Sequence, residues 1–147
     1  MTESLPIAEY LEETRKDVPL LPTDPFKRLQ VRRLCEVINS GVQPITNLSV
    51  LKKVETELNG SKEEWAKFYL TEGLKQFENL LTKTKGKYCF GDEVTLADTF
   101  LIPQLYNADR FKVDMSLFPQ INAVRANLNE LDAFKKADAN SQPDCTD

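Results

Sequence analysis

The sequence predicts an all-α helical bundle, and three observations carry that expectation. Apolar residues return at the i, i+3, i+4, i+7 spacing of a buried helix face through most of the 147 residues. Side chains that cap helix starts stand just ahead of these stretches: Asp24 before Pro25, Ser61 three residues before Glu64, and Thr95 three residues before Asp98. No segment alternates convincingly as a half-buried strand would. No internal repeat or low-complexity tract interrupts the pattern.

The first helix is expected from Ser4, read as its cap, with Pro6 tolerated in the opening turn. Its apolar side is marked by Leu5, Ala8 and Leu11 or by Ile7 and Leu11, and it ends near Arg15. Pro19, Pro22 and Pro25 then make Lys16 to Asp24 an extended connector. Asp24 as N-cap and Pro25 at the first helical position open a second helix whose buried stripe is Val31, Leu34, Cys35 and Ile38. Gly41 to Pro44 interrupts it with a kink or break, after which helix resumes through Val50, Leu51 and Val54 to about Leu58. Asn59-Gly60 reads as a helix-ending signal.

Ser61 and Glu64 form the next capping box, starting a long helix with Trp65, Phe68, Tyr69, Leu74, Phe77, Leu80 and Leu81 as a broad apolar face. The segment GDEVTLAD, Gly91 to Asp98, carries a second box: the Thr95 hydroxyl accepts from the Asp98 amide while the Asp98 carboxylate accepts from the Thr95 amide. Such a cap stabilises a helix by about 1 kcal/mol. Leu96, Ala97, Phe100, Leu101, Ile102 and Leu105 leave the helix that follows little polar surface, so it belongs at the bundle centre, bent or cut short at Pro103. Phe118-Pro119 begins another helix with Ile121, Val124 and Leu128, Leu131 to Lys136 makes a last short one, and Asn140 onward is a polar tail. The total is about five to seven helices in one bundle.

Composition narrows the function classes. A net charge of −4 and a pI near 5.0 argue against nucleic acid as the main partner. Lys27-Arg28 and Arg32-Arg33 are the densest basic pairs, and on a helix they are expected to form a solvated face. No apolar run approaches the roughly 20 residues of a membrane span, and Met1 is followed by polar Thr2-Glu3-Ser4, not by a secretory leader. A cytoplasmic or mitochondrial-matrix setting is expected. The chain has no histidine, which removes Cys-His and Ser-His nucleophile pairs. Cys35, Cys89 and Cys145 are odd in number and lack metal-ligand spacing, so neither a disulfide framework nor a metal site is expected. Cys35 and Cys89 read as small core residues and Cys145 as part of the tail.

KGKYCFGDEVTLAD (Lys85 to Asp98) and LIPQLYNADRFKVD (Leu101 to Asp114) together resemble the C-terminal helical domain of glutathione transferases, and most closely the zeta class, the maleylacetoacetate isomerases. SLPIAEYLEETR (Ser4 to Arg15), PLLPTDPFKRLQVR (Pro19 to Arg32) and SGVQPITNLSVLK (Ser40 to Lys52) agree with it in order, and the likeness runs from residue 3 almost to Gln142–Asp144. Nothing resembles the SSCSWR-type motif of the family's thioredoxin-like domain. The resemblance therefore implies residues 1–15 as the last helix of that domain, 16–24 as the linker, 25–139 as a glutathione transferase C-terminal-like bundle and 140–147 as a tail.

In such isomerases the thiolate of glutathione adds to the double bond of maleylacetoacetate, the resulting single bond rotates, and elimination releases fumarylacetoacetate, a step of phenylalanine and tyrosine breakdown. The resemblance implies that Glu3 and Ser4 hold the γ-glutamyl end of glutathione, as a helix N-terminus suits an anionic group. It implies that Gln43, Asn47, Leu48 and Ser49 line the cleft, and that Arg110 holds a substrate carboxylate with two parallel donors. Read on the residues alone, Ser4 is equally a plain cap, Gln43 and Asn47 satisfy a kink, and Arg110 complements a helix C-terminus. Two positions depart from the family pattern: Glu3 stands where glutamine is often found, and Thr46 where glutamine is frequent. Glutathione, a small diketo acid and a second copy of the chain are the expected partners, with the chain alone expected inactive. The alternative is a free-standing protein-protein interaction module built on the same helical domain. Retention of Gln43, Asn47 and Arg110 favours the first reading, because a docking module has no use for them.

Overall fold

Capping chemistry sets the helix boundaries seen in the structure, a computed structural model that describes residues 2–145. The helices are α1 (Ser4–Thr14), α2 (Pro25–Asn39), α3 (Leu48–Thr56), α4 (Lys62–Thr84), α5 (Leu96–Arg110), α6 (Pro119–Asn129) and α7 (Asp132–Ala137), with 3-10 turns at Met115–Leu117 and Ala139–Ser141. Among the described residues there is no strand, only an isolated bridge between Lys85 and Gly91. The chain is all-α, as its periodicity predicts.

Asp24 caps α2 by accepting from the Lys27 amide at 2.8 Å, and Val31, Leu34, Cys35 and Ile38 are all buried, as expected. After the Gly41–Pro44 interruption Asn47 caps α3, which ends at Thr56 with Asn59 in the left-handed region at φ 52°. Ser61 accepts from the Glu64 amide at 3.1 Å, but no return bond from the Glu64 carboxylate occurs among the described residues, so only half of that box forms. The Glu64 side chain stays in solvent instead. At α5 the Asp98 carboxylate accepts from the Thr95 amide at 2.8 Å and from the Thr95 hydroxyl at 3.0 Å. Its other oxygen takes the Cys89 amide at 2.9 Å, and the side chain is completely buried.

α5 runs through the centre, against α2 and α4; α4 also meets α3 and α6, and α7 packs on α6. Leu34, Leu70, Leu74, Phe77, Leu101, Leu105, Phe118 and Ile121 are fully buried where these helices meet. Each contributes about 1.5–3 kcal/mol of hydrophobic stabilisation. Cys35 and Cys89 share this core, and burial pushes the Cys35 thiol up to about 12 and the Cys89 thiol higher still, so neither is a thiolate at neutral pH.

Four further expectations need correction. Pro103 does not cut α5 short: it lies on the exposed side with Thr99, and the helix continues to Arg110. Phe68 is 59% exposed, because small Ala66 and Gly73 occupy the inward positions of α4; its ring packs edge-on against Tyr69 at 5.1 Å. The basic residues of α2 are not one solvated face, since Arg28 donates to the Pro22 carbonyl at 3.3 Å and Arg32 pairs with Glu9. Ser4 does not cap α1, for it is the first helical residue; Glu3 holds the N-cap position and makes no side-chain cap bond.

Gly73 is needed for close approach. A Cβ there would overlap Cγ2 of Val42, which is wholly buried in the turn after α2. We expect Gly73→Ala to destabilise the chain by about 1–3 kcal/mol in urea unfolding, although alanine alone favours helix by about 1 kcal/mol. A gain in stability would show that the turn yields without cost.

Candidate functional site

An open cavity of about 1340 Å³ lies between α1, the connector, the turn from α2 to α3 and the first half of α5. Three local features place polar groups on it. At its α1 end Glu3 holds φ 69° and ψ 118°, a conformation that a residue with a side chain rarely adopts and that costs of order 1–3 kcal/mol. Strain of this kind persists where surrounding structure fixes it, and here it sets Glu3 and Ser4 at the opening of an 11-residue helix. Only the Glu3 carbonyl is engaged by the first turn, accepting from the Ile7 amide at 3.1 Å.

Across the cavity, the turn carrying Gln43, Pro44 and Asn47 is held from behind. Val42 is buried against α4, and the Trp65 indole donates to the Ile45 carbonyl at 3.1 Å. The Thr46 hydroxyl is spent on the Val42 carbonyl at 3.0 Å and contributes nothing to the opening. Asn47 uses its carbonyl oxygen to accept from the Ser49 amide at 3.1 Å and from the Ser49 hydroxyl at 3.2 Å. That commitment turns the NH₂ group of Asn47 into its available donor. Gln43 sits before Pro44, its backbone amide bonded to the Ile38 carbonyl at 2.9 Å and its side chain exposed. Gln43 and Asn47 thus each offer an amide NH₂ donor on this wall, and these suit a carboxylate or peptide carbonyl.

The structure brings Glu3, Ser4, Gln43, Asn47 and Ser49 to one cavity. Leu48 and Arg110 lie outside its lining. Leu48 is 69% exposed on the outer side of α3. Arg110 ends α5 with its guanidinium 5.5 Å over the Phe111 ring, a cation–π placement that also complements the helix C-terminus. Arg15, Thr99, Phe100 and Pro103 line the cavity without having been singled out from sequence. The i, i+4 spacing of Thr99 and Pro103 on the exposed face of α5 is the signal that could have found two of them.

α1 reaches this cavity by polar contacts. Arg32 donates to both oxygens of Glu9, at 2.6 and 2.8 Å, and the Glu12 carboxylate accepts from the Leu20 and Leu21 amides at 2.8 and 3.1 Å. Its apolar residues Ile7, Ala8 and Leu11 line the cavity as well, Leu11 remaining 45% exposed, whereas Tyr10, 50% exposed, lies outside the lining.

Among the described residues no group of His, Cys, Asp and Glu is arranged to hold a metal ion, and no helix is long and apolar enough to cross a membrane. What fold and cavity define is the ligand-cleft helical bundle of the glutathione transferases. The family model for the glutathione S-transferase C-terminal domain matches residues 43–137. Maleylacetoacetate isomerase of Mus musculus is 47% identical over 98% of this chain and 65% of its own length, and that of Rattus norvegicus 49% identical over 97% and 64%. Maleylacetoacetate isomerase from Anaeromyxobacter dehalogenans, solved with glutathione in its active site, superposes with a TM-score of 0.97 at 38% identity, over 99% of this chain and 68% of that one. The same bacterial protein also holds dicarboxyethyl glutathione and citrate there. This chain belongs to the zeta-class glutathione transferases, the maleylacetoacetate isomerase family, and corresponds to their C-terminal helical domain. It spans about two thirds of the length of the curated relatives it matches.

The Glu9–Arg32 pair gives the site a pH dependence. Its hydrogen bond from Arg32 holds the Glu9 carboxyl below the ordinary glutamate range. A depressed carboxyl contributes stability that is fully present above the unfolded pKa, about 4.3, and is lost as pH falls through the lower folded value. Hydrogen exchange of α1 amides between pH 6 and about 3 should therefore show α1 loosening only in the acid range, and Glu9→Gln should remove that step.

Proposed function

We propose that this chain forms the substrate- and glutathione-facing helical part of a glutathione-dependent maleylacetoacetate isomerase, converting maleylacetoacetate to fumarylacetoacetate. The observation that carries the reading is the meeting of Glu3, Ser4, Gln43, Asn47 and Ser49 on one cavity. Their chemistry fits glutathione: an acid at Glu3 for its α-amino group, the α1 N-terminus and Ser4 for its γ-glutamyl carboxylate, and the donors of Gln43 and Asn47 for peptide carbonyls or a substrate acid.

Glutathione supplies a nucleophilic sulfur that adds reversibly to a conjugated cis double bond and so permits rotation about it. The residues of this chain bind and orient. Ser4 and the first-turn amides of α1 anchor one end of the tripeptide, and Gln43 and Asn47, across the cavity, hold a carboxylate or carbonyl by two donors. Phe100 and Pro103 add apolar surface to the cavity lining. Arg110, outside the lining here, is proposed to receive a substrate carboxylate by swinging off the Phe111 ring.

The sulfur-activating residues are proposed to lie outside residues 1–147, in a thioredoxin-like unit of which α1 is the last helix. The connector 16–24 would then join it to the bundle of 25–139, with 140–147 as a tail. The exposure of the apolar residues Tyr10, Leu11 and Val18 (73%) supports that division, because α1 and the connector leave apolar surface that the bundle does not cover. A homodimer in the cytoplasm is the proposed working form, and residues 1–147 alone are proposed to be inactive.

Titration of the chain with glutathione should move the amide resonances of Ser4, Gln43 and Asn47 with a dissociation constant in the millimolar range, roughly 4 kcal/mol of binding. Gln43→Ala together with Asn47→Ala should weaken it at least about threefold, the loss of about one net hydrogen bond. Micromolar affinity, or unaided turnover of the diketo acid, would overturn the reading.

A further inference from the structure

We infer that Glu12 is a positioning residue for the cleft: by fastening α1 to the connector it holds the Glu3–Ser4 end of that helix across from Gln43 and Asn47. The inference rests on the reading of that cavity as the glutathione cleft, and it adds a residue to which that reading gives no role.

Glu12 is the one residue of α1 that is buried, at 9% exposure. A buried carboxylate is costly unless it is hydrogen-bonded, and both of its oxygens are used, on the consecutive amides of Leu20 and Leu21. Those amides belong to a segment that is itself fixed. Leu21 is in the core at 3% exposure, and the Leu20 carbonyl accepts from the amide of Leu96, the first residue of α5, at 2.9 Å. Glu12 therefore couples α1 to the central helix through a single stretch of connector.

Little else could do so. Ala8 is the α1 side chain packed on the core, and it is too small to resist tilting, while Leu11 borders the open cavity at 45% exposure and Tyr10 is 50% exposed. Glu9, three residues earlier on the same face, bonds to Arg32 and fixes the rotation of α1 about its axis. Glu12 lies near the far end of the helix from Ser4, about 12 Å away at 1.5 Å per residue. A tilt at that anchor is therefore magnified at the end where Glu3 and Ser4 meet the cavity.

Glutamine is nearly the same shape as glutamate but has one acceptor oxygen in place of two. Its NH₂ group would face an amide donor, leaving Leu20 or Leu21 without a partner. The test uses the full ¹⁵N-labelled chain as wild type, Glu12→Gln and the exposed neighbour control Glu13→Gln. In Glu12→Gln one of the Leu20 and Leu21 amide resonances should lose its low-field position and α1 amides should exchange at least about tenfold faster, with α5 amides unchanged. The glutathione response at Ser4 should weaken at least about fivefold while that at Asn47 keeps its direction. Glu13→Gln should match wild type. If Glu12→Gln does not fold, Glu12→Asp, with the charge kept but the reach one methylene shorter, is judged on the same signals. Unchanged α1 exchange or an unchanged Ser4 response overturns the inference. A wild-type chain with no glutathione response at all, in which Glu12→Gln still frees α1, instead sinks the cleft reading and with it the ligand-positioning role, leaving Glu12 as a structural fastening.

Discussion

The completely buried carboxylate of Asp98 is the interaction from which the rest of the architecture extends. It closes the start of α5 through Thr95 and takes the Cys89 amide from the loop that leaves α4. Without it, three donors in the centre of the bundle would be stranded, at about 1–3 kcal/mol each. That single group sets the angle at which the chain turns from α4 into α5, and Gly91, at φ 67°, supplies the left-handed bend the loop needs to get there. Once α5 is fixed, the connector is fixed too, because the Leu96 amide bonds to the Leu20 carbonyl.

Two kinds of cohesion follow. The bundle of α2 to α6 is held by apolar burial, with leucine and phenylalanine interlocked around α5. α1 is held by charge-assisted bonds through Glu9 and Glu12, and α6 begins in a similar way: Glu78, from the middle of α4, accepts from the Gln120 and Ile121 amides at 2.8 and 2.9 Å. Carboxylates thus serve as long-range caps in places where Pro119 and the connector offer no local one. The cleft lies at the boundary between the two regimes, with one wall set by packing and the other by polar fastenings.

This division also explains what could be read from the sequence. Asp24, Ser61 and Thr95 act within three residues of themselves, so the helix starts they produce were legible, as were the stripes of α2, α5 and α6; Asn47, read on its own as satisfying a kink, caps α3 in the same local way. Glu12, Glu78 and Arg32 were not, because their partners lie 8 to 43 residues away and nothing in their immediate surroundings distinguishes them from solvated charges. Phe68 misled for a related reason: on a helix contacted from several sides, an apolar residue can continue a stripe and still face outward. Of the cleft residues inferred by resemblance, five share a cavity, whereas the side-chain direction of Arg110 depends on Phe111 and on the α5 terminus, which spacing alone does not encode.

The contact between Gly73 and Val42 makes the turn that bears Gln43 and Asn47 an extension of the core. Val42 and the Trp65 bond to the Ile45 carbonyl tie its backbone to α4, while Gln43 displays a side chain with no structural hydrogen bond among the described residues. Over evolutionary time such a frame allows chemical preference to drift one surface exchange at a time, while the scaffold beneath pays nothing for the experiment.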